Sequence, residues 1–196
     1  MKAKAAIFSL LVVSGFVLST LGLISFPVFH NVNYFWPAAA VQAVGAVLFG
    51  WTGIAAGTIF PMLSNMVTDK SMVSVILFTP SNFVQSLLPY MLYNKLVNRK
   101  LEISSLRDAA LFFLSAALIP QLCGGTLAAS ILSATGQIKT GGEFFRMVSL
   151  WLIDSVPWIV VAGIPIIIIF VPILRDYGYL FNSGVKPEAR PEATDA

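Results

Sequence analysis

The stretch that decides the fold is "SLWLIDSVPWIVVAGIPIII", Ser149 to Ile168. Its 20 residues match the number needed to carry an α-helix across the hydrocarbon of a bilayer, about 20 at 1.5 Å each. The apolar run extends on both sides, from Met147 to Leu174. Inside it sit a carboxylate, Asp154, and the prolines Pro157 and Pro165. A charged side chain at that depth costs at least about 2.5–3.5 kcal/mol on insertion scales. The rest of the chain has to supply a reason for it.

Composition agrees with a membrane setting. Of 196 residues, 57% are hydrophobic and 11% charged, and the mean hydropathy is +0.84. Soluble domains carry about 25% charged residues. The length suits one compact bundle, with no separate soluble domain expected. The net charge of +3 calls for a topological reading, and no nucleic-acid partner is expected. The lone cysteine, Cys123, lies in an apolar run and reads as a packing residue. His30 has no second histidine or cysteine spaced to join it, so no haem or zinc site is expected, and no cofactor. The start, "MKAKAAIFSLLVVSGFVLST", resembles a secretory signal, but its apolar core runs on to Phe26 without a small-residue cleavage site. It reads as a retained first helix.

Six spans are expected: Ala6–Phe26, Phe35–Gly50, Gly53–Val67, Val73–Leu96, Leu106–Ala134 and Met147–Leu174. The second and third are short and separated by Trp51-Thr52 alone, which implies a tight helical hairpin, either spanning or re-entrant. With the N-terminus inside, cytoplasmic segments hold nine of the lysines and arginines: Lys2, Lys4, Lys95, Arg99, Lys100, Arg107, Arg175, Lys186 and Arg190. Outer loops hold three: Lys70, Lys139 and Arg146. That bias places both termini in the cytoplasm. The expected class is therefore all-α: a multi-pass plasma-membrane protein with a six-helix transmembrane domain over residues 1–180 and a disordered polar tail over 181–196. The basic loop "NKLVNRK" anchors the topology and can meet anionic membrane lipids or a partner protein.

Membrane helices approach closely through small residues. Ala39, Ala43, Ala46 and Gly50 line one face of the second span, Gly53, Gly57 and Ser64 one face of the third, and Gly15, Ser19 and Gly22 one face of the first. These faces predict a core where the first three helices meet, or an oligomer interface. Prolines recur inside the spans, and each frees the carbonyl four residues earlier. Pro157 would free that of Ile153, beside Asp154, and a kinked, partly open last helix is expected there.

Few polar side chains fall within spans: Gln42, Asn65, Asn82, Gln85, Gln121 and Asp154. Most are expected in the outer half. Three readings of Asp154 stand side by side. It binds a ligand or cation; it joins a structural hydrogen-bond network with an amide such as Asn82; or it caps a helix broken at Pro157. Trp36 and Trp151 lie on the same side, as part of an interfacial aromatic belt or as walls of a small-molecule pocket. The candidate ligand-binding set is Asp154, Asn82, Gln42, Trp36, Trp151, Asn65, Gln85 and Gln121. The sequence has no Ser-His-Asp order, no HExxH, no P-loop and no paired intramembrane carboxylates, so no enzyme is expected.

Four segments resemble the MASE-type membrane-associated sensor domain. They are "NYFWPAAAVQAVGAVLFGWTGIAAGTIFPMLSNMV", with Trp36, Pro37, Gly50 and Asn65; "PSNFVQSLLPYMLYNKL", with Asn82; the Arg-Asp-led "LEISSLRDAALFFLSAALIPQLCGGTLAASILSATG"; and "FFRMVSLWLIDSVPWIVVAGIPIIIIF", with Trp151, Asp154 and Pro165. The likeness covers Tyr34 to Phe170 and consists of loose patterns. It implies a sensory input module with an outward-facing small-molecule pocket. The family is normally fused to an output module and often has more helices before the match. Signalling here would therefore pass through a separate membrane or cytoplasmic partner. The same anatomy is similar to the substrate-binding S component of energy-coupling factor transporters. That family docks its coupling partner through an Ala-x-x-x-Ala pair in the first helix; Gly15 and Ser19 would stand in its place. A third use, as a structural subunit of a membrane complex, would set Asp154 against a neighbouring chain.

Overall fold

The computed structural model describes residues 2–25, 27–29, 32–33, 35–68, 71–96 and 101–180. The expected disordered tail at 181–196, the basic residues Arg99 and Lys100, His30, Tyr34 and Lys70 lie outside them. Helix α1 covers Lys2–Ser25, α2 Ala38–Phe49, α3 Trp51–Val67 and α4 Met72–Leu96. Helix α5, Leu106–Phe112, continues through a π-helical segment, Phe113–Leu118, into α6, Ile119–Ala134, and α7 covers Gly141–Asp176. Four of these rods are long and apolar enough to cross a membrane: Lys2–Ile24, Met72–Asn94, Leu106–Ala134 and Gly141–Asp176. The chain is an all-helical protein of membrane type. One exception breaks the helical pattern, a short antiparallel pairing of β1, Pro27–Phe29, with β2, Val32–Asn33, where a plain loop was expected.

Local chemistry explains the ends. The side chain of Ser105 accepts from the backbone N–H of Asp108 at 3.2 Å and starts α5. Thr140 and Glu143 form a capping box: the threonine hydroxyl accepts from the Glu143 N–H at 3.2 Å, and the Glu143 carboxylate accepts from the Thr140 N–H at 3.3 Å. The box starts α7 at Gly141, six residues before the expected Met147. The π segment lies just before Pro120, whose ring cannot donate to the carbonyl of Ala116. A widened turn is one way for a helix to pass such a residue without breaking. Helix α7 likewise runs unbroken past Pro157, Pro165 and Pro172.

The hairpin between α2 and α3 is tighter than expected. Trp51 and Thr52 are already helical, and Gly50 alone makes the turn, at φ 57° and ψ −129°. A side chain is strained in that conformation. Beyond it the two helices nearly touch. A Cβ on Gly53 would lie 1.9 Å from the backbone oxygen of Gly45, so only glycine lets the backbones meet. Helix α2 is the axis of the bundle, with ten of its twelve residues buried. Its Ala38, Ala39, Ala43, Val44 and Val47 pack with Phe60 of α3, Phe112 of α5, and Ile159 and Ile167 of α7. A second cluster at the other end joins Phe78, Ala128, Leu132, Met147 and Trp151. Outward faces are apolar, with Leu10, Val13 and Leu21 on α1 and Ile153, Val161 and Ile169 on α7 exposed, as suits contact with lipid.

The small-residue stripe of α1 faces inward. A Cβ on Gly15 would meet the Phe60 ring at 2.4 Å, and one on Gly22 the backbone oxygen of Phe35 at 2.3 Å. The start of α1, the α2–α3 turn and the end of α7 lie together at one end of the bundle, where they share a cavity.

Candidate functional site

Three polar nodes lie inside the bundle, and the first centres on Trp36. Its indole N–H donates to Ser19 Oγ of α1 at 3.0 Å. Ser19 Oγ lies 2.7 Å from Ser64 Oγ of α3, and Ser64 donates in turn to the Phe60 carbonyl at 3.0 Å. The backbone N–H of Trp36 donates to the carbonyl of Asp154 in α7 at 3.3 Å. This one residue, just before α2, therefore ties together α1, α3 and α7. Pro157 withdraws the usual donor from the Ile153 carbonyl, next to the Asp154 carbonyl that Trp36 takes up.

The second node is Gln42. Its amide nitrogen carries two protons, and both find carbonyls on neighbouring helices: Gly57 of α3 at 2.9 Å and Asn82 of α4 at 3.0 Å. The Gly57 carbonyl lies four residues before Pro61 and so lacks its helical donor. The Gln42 side chain replaces that donor. Gly57 permits the approach, since a Cβ there would stand 2.9 Å from Gln42 Cγ and 2.5 Å from Ser86 Oγ. Ser86 Oγ donates to the same Asn82 carbonyl at 3.0 Å.

The third node is the seam where α4 and α7 meet α6. Gln85 packs on Gly124, where a Cβ would lie 2.3 Å from Gln85 Cγ. Trp151 packs on the adjacent Gly125, where a Cβ would lie 3.1 Å from Trp151 Cβ. Gln121 shares this buried face of α6, one turn before the two glycines. Across the short 135–140 connection α6 and α7 run antiparallel, so one turn back along α6 corresponds to one turn onward along α7, towards Asp154 and Ser155. Both amide atoms of Gln85, both of Gln121, the indole nitrogen of Trp151 and the amide oxygen of Gln42 are buried without a hydrogen-bond partner among the described residues. Each such group costs about 1–3 kcal/mol when left unpaired. Trp151 also faces the Phe78 ring at 6.0 Å between centroids.

Asp154 is 6% exposed, and its carboxylate accepts from the hydroxyl of the neighbouring Ser155. It sits fourteen residues into a continuous helix, so the capping reading is set aside. The expected bond between the Asp154 carboxylate and Asn82 is not among those formed by the described residues; Asn82 contributes its backbone carbonyl to Gln42 instead.

The eight residues named from sequence thus divide. Trp36 joins Asp154, Gln42 joins Asn82, and Gln85, Gln121 and Trp151 line the α6 seam. Asn65 is buried near the end of α3, next to Ser64 of the Trp36 node. Sequence reasoning treated Ser19 and Ser64 only as small packing residues and passed over Ser86 and Ser155. A hydroxyl on a small-residue stripe, level with a tryptophan, was the available signal. Chemically the seam offers carboxamide donors and acceptors, an indole N–H and aromatic faces, with one carboxylate a turn away and no lysine or arginine from Met147 to Leu174, from Gly57 to Val67 or from Met72 to Asn94. Such a surface suits a neutral or cationic polar molecule and disfavours an anion. No family model, curated protein or solved structure matches the chain.

Proposed function

We propose that this protein recognises a small molecule within the membrane and acts as a sensory module of the MASE type, passing its bound state to a separate protein partner. In this reading it crosses the plasma membrane six times with both termini in the cytoplasm, and the recognition surface is the polar belt around Asp154, Gln42 and the α6 seam. The observation that carries it is the set of partnerless groups on Gln85, Gln121 and Trp151. Polar side chains at bilayer depth are costly, and those lacking an internal partner mark a functional surface by default. A ligand that supplies the missing partners would draw α4 and α7 onto α6. That is a mechanical change which the apolar ends of the helices can transmit.

The experiment is native mass spectrometry of the detergent-purified chain, with thermal unfolding alongside. Wild type is expected to carry a small-molecule adduct that Gln85→Leu and Gln121→Leu lose. Both variants are expected to keep or raise their Tm, because replacing a partnerless amide removes its desolvation penalty. Retention of the adduct by both variants defeats the proposal. A marked fall in Tm would instead make the amides structural.

A second reading, the S component of an energy-coupling factor transporter, would use the same polar belt. It needs a docking face on α1, and the small residues Gly15 and Ser19 are turned onto Phe60 and Ser64 within the chain. The sensory reading stands first for that reason.

A further inference from the structure

At the end of the bundle away from the polar belt lies a cavity of about 540 Å3. Its lining comes from three places far apart in sequence: Lys4 and Ile7 of α1, Phe49, Trp51 and Thr52 at the α2–α3 turn, and Tyr179 and Leu180 just after α7. The volume lies within the range of about 300–1,000 Å3 that small-molecule sites occupy.

The walls are sorted by chemistry. Ile7, Phe49 and Leu180 are apolar, Thr52 offers a hydroxyl, and Lys4 is the charged residue of the lining. Among the described residues, the ion pair at this end joins Arg175 to Glu102 and leaves Lys4 out. Trp51 is 59% and Tyr179 46% exposed, and the Tyr177 and Tyr179 rings stack at 6.1 Å. Indole and phenol rings with a lysine at the end of an apolar helix mark the level of lipid headgroups. A soluble anion would find a cation here but no use for the apolar wall. A neutral lipid would find the wall but no use for Lys4. An amphiphile with a negative head uses both.

We propose that this cavity seats an anionic phospholipid, its phosphate on Lys4 and the upper part of one chain against Ile7, Phe49 and Leu180. The Thr52 hydroxyl donates to a phosphate or ester oxygen, and Trp51 and Tyr179 flank the entrance. Because the lining is drawn from α1, the α2–α3 turn and the end of α7, the lipid touches all three elements at once. The site is independent of the polar belt and does not depend on the sensory reading.

The test uses the full chain in nanodiscs, with lipids brominated on the acyl chain as quenchers. Trp51 fluorescence is obtained as the difference between wild type and Trp51→Phe. At equal mole fraction, brominated phosphatidylglycerol is expected to quench Trp51 with about five-fold higher apparent affinity than brominated phosphatidylcholine, the preference that one lysine near the headgroups confers. Lys4→Gln is expected to abolish the preference. Lys4→Arg and Lys2→Gln are expected to keep it, and millimolar inorganic phosphate is expected to leave it unchanged. Equal quenching by the two lipids in wild type overturns the proposal. So does loss of preference in Lys2→Gln to the same extent as in Lys4→Gln, which would reduce the effect to general surface charge. Displacement by inorganic phosphate overturns it as well, in favour of a soluble anion.

Discussion

Gln42 supplies through its side chain a hydrogen bond that the backbone of α3 lacks at Pro61. Interhelical hydrogen bonds in membranes average about 0.6 kcal/mol and reach about 1.7. Gln42→Leu breaks two of them, so a loss of about 1–2 kcal/mol is expected in reversible unfolding from mixed micelles. The cause can be isolated. Pro61→Ala returns an N–H to the Gly57 carbonyl, and in that background the Gln42→Leu penalty is expected to shrink by about half. Full additivity of the two substitutions would show that Gln42 and Pro61 are not coupled. The same pair shows what the sequence can and cannot reveal at this scale. Gln42, Gln85, Gln121 and Asp154 stand out because a polar letter in an apolar run is conspicuous. The partners of Gln42 and Trp36 do not, because the acceptors at Gly57, Asn82 and Asp154 are main-chain carbonyls, which every residue possesses. Ser19 and Ser64 were visible as small residues, but whether a hydroxyl in such a stripe packs or bonds depends on the neighbour it meets.

Among elements, the α2–α3 crossing makes the strictest demand on a single atom. Gly53→Ala places a methyl 1.9 Å from the Gly45 oxygen, which backbone movement alone can relieve. The expected cost is at least about 2 kcal/mol, seen as poor recovery of folded protein and a lowered Tm. Gly142→Ala is the matched control. Its nearest neighbour would be Thr140 Oγ1 at 3.9 Å, and a gain of about 0.5–1 kcal/mol is expected from helix propensity. At the start of α7, Thr140→Ala removes one half of the capping box and is expected to cost about 1 kcal/mol, read as faster amide hydrogen exchange in the first turn. Helices were legible in the sequence wherever apolar length decided them, and the rods of α1, α4, α5–α6 and α7 fall within a few residues of the expected spans. What escaped were features set by hydrogen bonds rather than hydropathy: the early start of α7 at its cap, the turn confined to Gly50, the strand pair Pro27–Phe29 with Val32–Asn33, and the π segment ahead of Pro120.

For the molecule as a whole, topology is the property most directly open to test. Lys2, Ser104 and the end of α7 belong to one end of the bundle, and Gln137 to the other. In a Cys123→Ser background, Gln137→Cys is expected to react with an impermeant maleimide added to intact cells. Lys2→Cys and Ser104→Cys are expected to react only after permeabilisation. Labelling of Ser104→Cys in intact cells would contradict the orientation with both termini in the cytoplasm.

Helix α2 has only twelve residues, about 18 Å of rise, yet it is the most enclosed rod in the molecule. Hidden from acyl chains, it has no hydrophobic thickness to match once assembled. During synthesis those neighbours do not yet exist, and a segment so short is a weak candidate for partitioning from the translocon one helix at a time. It is expected to enter joined to α3 through Gly50, as a unit, and to wait at the protein-conducting channel until α4 emerges from the ribosome to cover Gln42.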